Sequence, residues 1–255
     1  MKKILAIAAF AVLSMGSLMA QNNFQGVITY KATSTGETAV NLKEESSTAE
    51  LKVYNDKVLT SNPFFTSNPF IYSMLGFNSA LIDGHKMYTC FSVGELLSAL
   101  AMRDQEVDYD GPTKILTENE ITQQEIDSLT IPCTEGYYIE YVNGETQKIA
   151  DMTAKKAIIH IFDEDGEDHP NEVWYCDEMG PDVNVLFFGI KGVALVFSVN
   201  LGEGRQLTFT ASEIKRGKVK MNDMLLPSGF ETISKENFNN LTEDIFEAIK
   251  YLQEE

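Results

Sequence analysis

Hydrophobic and polar residues alternate with a period of two along much of the chain, a pattern typical of β-strands with one buried face. In the first half, the alternating segments are 24–30, 49–54, 80–82 and 86–91. Asp83-Gly84 separates the last two of these and favours a tight hairpin turn. In the second half, the segments are 136–142, 157–162, 172–176, 193–199 and 206–211, with expected turns at Asn143-Gly144 and 202–204. This succession predicts a mainly β (α+β) fold built on a curved antiparallel sheet or barrel.

Three apolar stretches interrupt the alternation. Residues 64–77 are dense in aromatic side chains and contain the sequence Ser-Asn-Pro-Phe twice, at 61–64 and 67–70. Residues 93–102 predict a short amphipathic helix with Leu96, Leu97 and Leu100 on one face. Residues 181–190 are apolar without a clear period, which fits either a helix or a strand.

The C-terminal segment has the pattern of an amphipathic helix. Ser234 is a favourable N-cap residue. The apolar stripe that follows it consists of Phe238, Leu241, Ile245, Ile249 and Leu252. No Pro- or Ser-rich linker divides the chain, so we expect a single domain over residues 21–255.

The N-terminal segment has the features of a secretory signal peptide. Met1-Lys2-Lys3 is basic, residues 4–18 are apolar, and Ala20 is a small residue suited to cleavage. Polar and small residues interrupt the apolar run, whereas a membrane span needs about 20 apolar residues in succession. No cysteine lies at or directly after the expected cleavage site, as lipid attachment would require. We therefore predict a signal peptide at 1–20 and a periplasmic or secreted protein without a transmembrane or lipid anchor.

Composition limits the partners. The 255 residues include 20 Lys+Arg and 38 Asp+Glu, which gives a formal charge of −18. A chain of this charge repels phosphate backbones and anionic membrane surfaces, so nucleic acid is not expected as a partner. A hydrophobic fraction of 44% is enough to form a buried core.

The sequence contains few residues suited to catalysis. The three histidines are His85, His160 and His169, and no hydrolase, nucleotide-binding or metalloprotease motif is present. The cysteines, Cys90, Cys133 and Cys176, lack the spacing of a zinc site and can form at most one internal disulfide. We expect a noncatalytic protein without a cofactor.

The acidic segment 163–168 suggests a calcium site, because calcium prefers several carboxylate oxygens on one loop. Asp163, Asp165 and Asp168 are weak candidate ligands, since their spacing does not match an EF-hand loop. A solvated turn between two strands is the favoured interpretation.

The aromatic and leucine-rich segments that interrupt the strand pattern must pack against some part of the curved sheet. Either they fill its concave face as core, or they form a lid over an apolar cavity that binds a ligand. The residues that we expect to line such a cavity or lid are Phe64, Phe70, Tyr72, Met74, Phe77, Leu96, Leu97, Leu100, Phe187 and Phe188.

Several short motifs occur in an order that resembles one protein family. They are the segments 24–30, 129–133 (Leu-Thr-Ile-Pro-Cys), 173–178, 209–214 and 226–230. The chain resembles uncharacterised exported bacterial proteins of the outer-membrane lipoprotein carrier (LolA/LolB-like) superfamily. The resemblance implies an open antiparallel half-barrel with helices over its concave face, where carriers of that superfamily hold acyl chains.

Two functions are therefore expected. The first is a noncatalytic exported envelope protein that binds a lipid, an acyl chain or another hydrophobic ligand in a half-barrel cavity. The alternative is a structural or interaction module of the cell envelope, with a self-filled core and an envelope protein as its partner.

Overall fold

Twelve strands form one open sheet in the computed structural model, which describes residues 24–35, 48–66, 69–105, 107–163, 165–202 and 205–254. The strands are β1 (Gln25–Thr35), β2 (Thr48–Tyr54), β3 (Lys57–Thr60), β4 (Phe77–Asp83), β5 (Lys86–Ser92), β6 (Lys114–Glu120), β7 (Tyr137–Ile149), β8 (Met152–Ile161), β9 (Asn171–Cys176), β10 (Val193–Gly202), β11 (Arg205–Arg216) and β12 (Glu231–Thr232). The helices are α1 (Pro69–Met74), α2 (Gly94–Ala101), α3 (Gln123–Ser128) and α4 (Lys235–Glu254). The predicted signal peptide lies outside the described residues.

The sheet consists of two antiparallel meanders. Its strand order is β12-β6-β5-β4-β3-β2-β1-β11-β10-β9-β8-β7. The first meander, β1 to β6, joins the second, β7 to β11, where β1 pairs with β11. The short strand β12 adds a parallel pair at the edge beside β6. The predicted mainly β fold with a C-terminal helix is confirmed.

The hairpin turns follow the sequence prediction at one position and depart from it at another. Asp83 and Lys86 pair across the predicted Asp83-Gly84 turn, where Gly84 has a φ of 60°. The predicted turn at Asn143-Gly144 is wrong, because β7 continues through it with a register shift between Tyr141 and Thr146. The β7–β8 turn is formed instead by Ala150 and Asp151, both with positive φ.

The sheet curls strongly. A Cβ atom placed on Gly180 would lie 3.2 Å from Val58 Cγ2 and 3.0 Å from Val193 Cγ2. Val58 is on β3 and Val193 is on β10, four strand spacings apart, or about 19 Å across a flat sheet. Both side chains can approach one point only if the sheet bends around it, so the sheet has a concave face.

The main core fills this concave face. Inward residues of β1 to β4 and of β7 to β11 form one hydrophobic cluster, with Tyr30 and Phe65 completely buried near its centre. A second hydrophobic cluster surrounds Phe91 of β5 and includes residues of α2 and α4. A third, smaller cluster is formed by Leu59, Val219 and Met224, with residues 218–226 packed against β2 to β4.

Helix α4 closes the second cluster. Ser234 is its N-cap, as predicted, since the Ser234 hydroxyl oxygen accepts a hydrogen bond from the backbone N–H of Asn237 at 3.1 Å. The ring of Phe238 stacks on that of Phe91 with centroids 5.1 Å apart. Of the helices in the part of the chain that the structure describes, none has the length and apolar character needed to cross a membrane.

Segment 181–190 is neither a regular helix nor a strand. It forms a 3-10 turn at Val185–Phe187 and an isolated bridge between Asn184 and Ile190. The Asn184 side-chain oxygen accepts a hydrogen bond from the backbone N–H of Leu186, which starts the turn. Phe188 ends it in the left-handed region, with a φ of 58°. The turn inserts Leu186 and Phe187 into the main core, leaves Phe188 half-buried, and is followed by Ile190, which is again buried.

Candidate functional site

The first Ser-Asn-Pro-Phe sequence forms a fixed turn directly after β3. The Asn62 side-chain oxygen accepts a hydrogen bond from the backbone N–H of Phe64 at 2.9 Å. Pro63 occupies the start of a 3-10 turn, where its missing N–H needs no partner. The Thr66 hydroxyl donates to the Pro63 carbonyl at 2.6 Å and closes the other end. The turn therefore holds Phe64 and Phe65 in defined positions.

Phe65 anchors this turn to the sheet. Its ring is 0% exposed and lies 4.8 Å from that of Tyr30, 5.6 Å from Phe197 and 5.4 Å from Phe209, measured between centroids. Tyr30 donates its hydroxyl proton to the Ala194 carbonyl at 2.7 Å, and burial raises the pKa of the Tyr30 phenol well above its usual range. The centre of the concave face is therefore solid.

A cleft of about 670 Å³ opens beside this solid centre. Phe64 and Phe70, from the segment after β3, line this cleft together with Leu186, Phe187 and Phe188. The remaining apolar lining comes from Ile159, Ile161, Val173, Phe197 and Val199, and the polar lining includes Asp168, His169, Asn171, Asn200 and Gln206. The Phe70 ring is 52% exposed. The larger cleft thus combines aromatic walls with polar groups.

A second cleft has a volume of about 550 Å³. Its apolar lining is contributed by Ala32, Ala49, Leu201, Leu207 and Phe209, together with Pro63 and Phe64. Its polar lining consists of Ser34, Thr48, Glu50, Ser61 and Asn62. Phe64 is the residue that lines both clefts.

The structure separates the predicted site residues into two groups. Phe64, Phe70, Phe187 and Phe188 come together around the larger cleft. The other six lie in or against the second hydrophobic cluster, beside Phe91 and α4: Tyr72, Met74, Phe77, Leu96, Leu97 and Leu100. Helix α1 explains the division, because it exposes Phe70 while Tyr72 packs edge-on against Phe91 at 5.2 Å.

Sequence reasoning did not single out the strand residues that line the clefts. Ile159, Phe197, Leu207 and Phe209 occupy inward positions of β8, β10 and β11. Their alternation along the strands indicated one buried face. Their position beside Phe64 depends on strand pairing between distant parts of the chain.

His160 lies on the opposite face of β8 from the cleft residues Ile159 and Ile161. Its Nδ1 is 2.7 Å from Asp168 Oδ2, and its Nε2 is 3.2 Å from Glu140 Oε2. Burial lowers the pKa of the His160 imidazole, but the hydrogen bonds to Asp168 and Glu140 outweigh it, so this pKa is raised. Only the protonated ring can donate to both carboxylates. The His160 side chain therefore connects Glu140 on β7 with Asp168 in the segment between β8 and β9.

The acidic turn is closed by its own hydrogen bonds. Asp163 Oδ1 accepts from the backbone N–H groups of Asp165 and Glu167, and Asp163 Oδ2 lies 2.8 Å from His169 Nε2. These hydrogen bonds, first of all that from His169, lower the pKa of the Asp163 carboxyl. The structure groups Asp163 with Glu167 and His169, all exposed, rather than with Asp165 and Asp168. Asp168 instead turns towards His160.

The three cysteines are free thiols in the structure. Cys90 and Cys176 are buried, and burial raises the pKa of both thiols. Cys133 is half-buried. Cys90 and Cys176 are therefore part of the buried core.

The protein is a half-barrel of mainly β structure with a concave face that is partly filled. Its curvature, its open edges and its apolar clefts define this class.

No protein-family model matches the chain, and no curated protein matches it. Similar solved structures include MucB in complex with MucA(peri), which is 11% identical, with 86% of this chain and 60% of that chain covered and a TM-score of 0.30. The MucA/MucB complex of Pseudomonas aeruginosa is 12% identical, with coverages of 84% and 60% and a TM-score of 0.32.

A LolA superfamily protein from Nitrosomonas europaea is 10% identical, with 82% of this chain and 92% of that chain covered and a TM-score of 0.26. The chain thus covers less than two thirds of the MucB structures that it matches.

Proposed function

We propose that this protein is a noncatalytic, exported protein of the cell envelope that holds a lipid or another hydrophobic ligand at the mouth of its half-barrel. The observation that carries the proposal is the larger cleft, in which Phe64, Phe70, Phe187 and Phe188 present apolar surface around about 670 Å³. This volume lies within the range of about 300–1,000 Å³ that is usual for small-ligand sites.

The physical driving force is the removal of apolar surface from water. Burial of such surface contributes about 25 cal/mol per Å² before the entropic cost of binding is subtracted. A half-exposed phenylalanine such as Phe70, at the edge of a cleft, gains from an apolar ligand that covers it. The aromatic walls therefore favour an alkyl chain over a polar ligand.

Charge further restricts the kinds of ligand that the clefts can bind. The protein carries a formal charge of −18, and Asp168 and Glu50 lie in the linings of the two clefts. The net charge and the Glu50 carboxylate repel an anionic head group, whereas Asp168 is hydrogen-bonded to His160. Amide and hydroxyl groups in the same linings, such as those of Asn171 and Gln206, can bind a neutral polar one. The ligand that fits best is an amphiphile with an uncharged or zwitterionic head.

One observation favours the alternative, a structural or interaction module with an envelope protein as its partner. The centre of the concave face is filled by the protein's own side chains, principally Phe65 and Leu186. In that case, the clefts would be shallow grooves that receive side chains of the partner, with Phe70 as a contact residue.

Lipid extraction tests the proposal. The protein is produced with its native N-terminus, purified without detergent and extracted with organic solvent, and the extract is analysed by mass spectrometry. We expect a lipid to copurify with the natural sequence. Its absence would contradict ligand binding and support the interaction module.

A matched pair of variants connects the lipid to the cleft. Ile161→Trp places a large ring in the larger cleft, whereas Ile158→Trp places the same ring on the opposite face of the same strand. Both isoleucines are half-buried, so the cost to folding should be similar. Ile161→Trp should lose the lipid and Ile158→Trp should keep it. Equal retention by both variants would place the ligand elsewhere.

A further inference from the structure

We infer that Phe64 is a partition that divides the apolar mouth of the half-barrel into two compartments and limits the length of an alkyl chain that either compartment can hold. This inference rests on the proposed function, because it concerns the specificity of the same site. In this view, the Phe64 side chain selects among ligands of different chain length.

The two clefts share a continuous floor. Phe197 lines the larger cleft and Phe209 lines the smaller one. These residues are register partners on β10 and β11, and their rings stack with centroids 5.2 Å apart and planes 12° apart. The Phe64 ring lies 5.8 Å from that of Phe209 and faces both clefts. The Phe64 ring therefore stands beside a stacked pair of aromatic rings that joins the linings of the two clefts.

Phe64 is held firmly enough to act as a barrier. The hydrogen bond from its backbone N–H to Asn62 fixes the turn before it, and the next residue, Phe65, is locked in the core. The backbone of Phe64 therefore cannot shift without moving this anchor, and the contact of its ring with Phe209 restricts rotation of the side chain. Phe64 itself is only half-buried, so its replacement should leave the fold intact.

A partition has a specific effect on chain-length dependence. Each additional CH₂ group that becomes buried tightens binding about fourfold, which corresponds to about 0.8 kcal/mol. In the natural protein this gain should stop when one cleft is full, because further carbons remain in water. Without the Phe64 ring, a longer chain can cross the floor of Phe197 and Phe209 into the second cleft, so the gain should continue.

The experiment measures the affinity of delipidated protein for alkyl maltosides from octyl to hexadecyl, each below its micellar concentration. Displacement of Nile red gives the dissociation constants. We expect a plateau with chain length for the natural sequence and a further gain of about fourfold per carbon beyond that length for Phe64→Ala. Phe64→Leu should extend the plateau by fewer carbons, and it serves as the test if Phe64→Ala does not fold.

Two controls separate a partition from general loss of apolar surface. Phe70→Ala removes a ring that lines the larger cleft alone, so it should weaken binding while keeping the plateau at the same chain length. Phe64→Tyr retains the ring and should keep the plateau as well. The partition would be overturned if the affinities of Phe64→Ala and Phe64→Leu reach a plateau at the same chain length as the natural sequence. It would also be overturned if the natural sequence shows no plateau. Either result would leave the proposed function standing. Failure of every maltoside to displace Nile red from any variant would overturn both.

Discussion

Replacement of Phe65 by alanine tests whether the centre of the concave face is solid core. The Phe65 ring is 0% exposed and has four aromatic neighbours within about 6 Å, so truncation would leave a cavity that rigid rings cannot easily fill. Phenylalanine-to-alanine changes in cores cost about 3–5 kcal/mol. The dense aromatic packing here places the expected loss in the free energy of unfolding at about 4 kcal/mol or more.

Urea denaturation followed by far-UV circular dichroism measures this loss. With an m-value of about 3 kcal/mol per molar urea, the midpoint should fall by more than about 1 M. Phe70→Ala is the matched control, because the same side chain is half-exposed there and should change the stability by less than about 1 kcal/mol. A loss below about 1 kcal/mol for Phe65→Ala would refute the solid core and imply that the ring is free to move out of the concave face.

Three further changes test other parts of the fold, each by urea denaturation. Tyr30→Phe removes the buried hydroxyl that donates to the Ala194 carbonyl and should cost about 1–2 kcal/mol; no loss would mean that this carbonyl has another donor. Ser234→Ala removes the N-cap of α4 and should cost about 1 kcal/mol, whereas replacement of the exposed Ser212 should cost less. His160→Gln should destabilise the protein most at acidic pH. The pKa of His160 is raised in the fold, so its stabilising contribution is complete below about pH 6.5 and is lost as the pH rises through the folded value; a difference that grows with pH would contradict this.

Pairs of turn-forming residues predicted a hairpin correctly at one position and wrongly at another, where strand pairing determines the place of the turn. Asp83-Gly84 forms the expected hairpin because Gly84 adopts its positive φ without a steric cost. Asn143-Gly144 has the same chemistry, but Gly144 uses its positive φ inside the bulged strand β7. Pairing of β7 with β8 on both sides of the bulge places the turn at Ala150 and Asp151, although alanine does not favour the positive φ that Ala150 adopts.

The sequence indicated part of the candidate site through its density of aromatic residues. The alternating pattern of the strands did not indicate it. Phe64, Phe70, Phe187 and Phe188 stand out because strand alternation does not explain them. The assignment of Leu96, Leu97 and the other four to the cluster beside α4 depends on contacts such as Phe91 with Phe238, which are far apart in the sequence. Helical spacing shows that such a face is apolar but cannot show which partner covers it.

The pairing of β1 with β11 determines when the two meanders of the sheet join during folding. Contacts across that seam, such as the Thr33 hydroxyl with the Thr208 carbonyl, join residues 175 positions apart. Contacts between such distant residues form late and slow the folding of β-proteins. The smaller cleft takes Ala32 from one side of the seam and Phe209 from the other, and Phe64 stands above it. Neither meander alone therefore builds this cleft, and a chain still being synthesised lacks it until β11 has paired with β1.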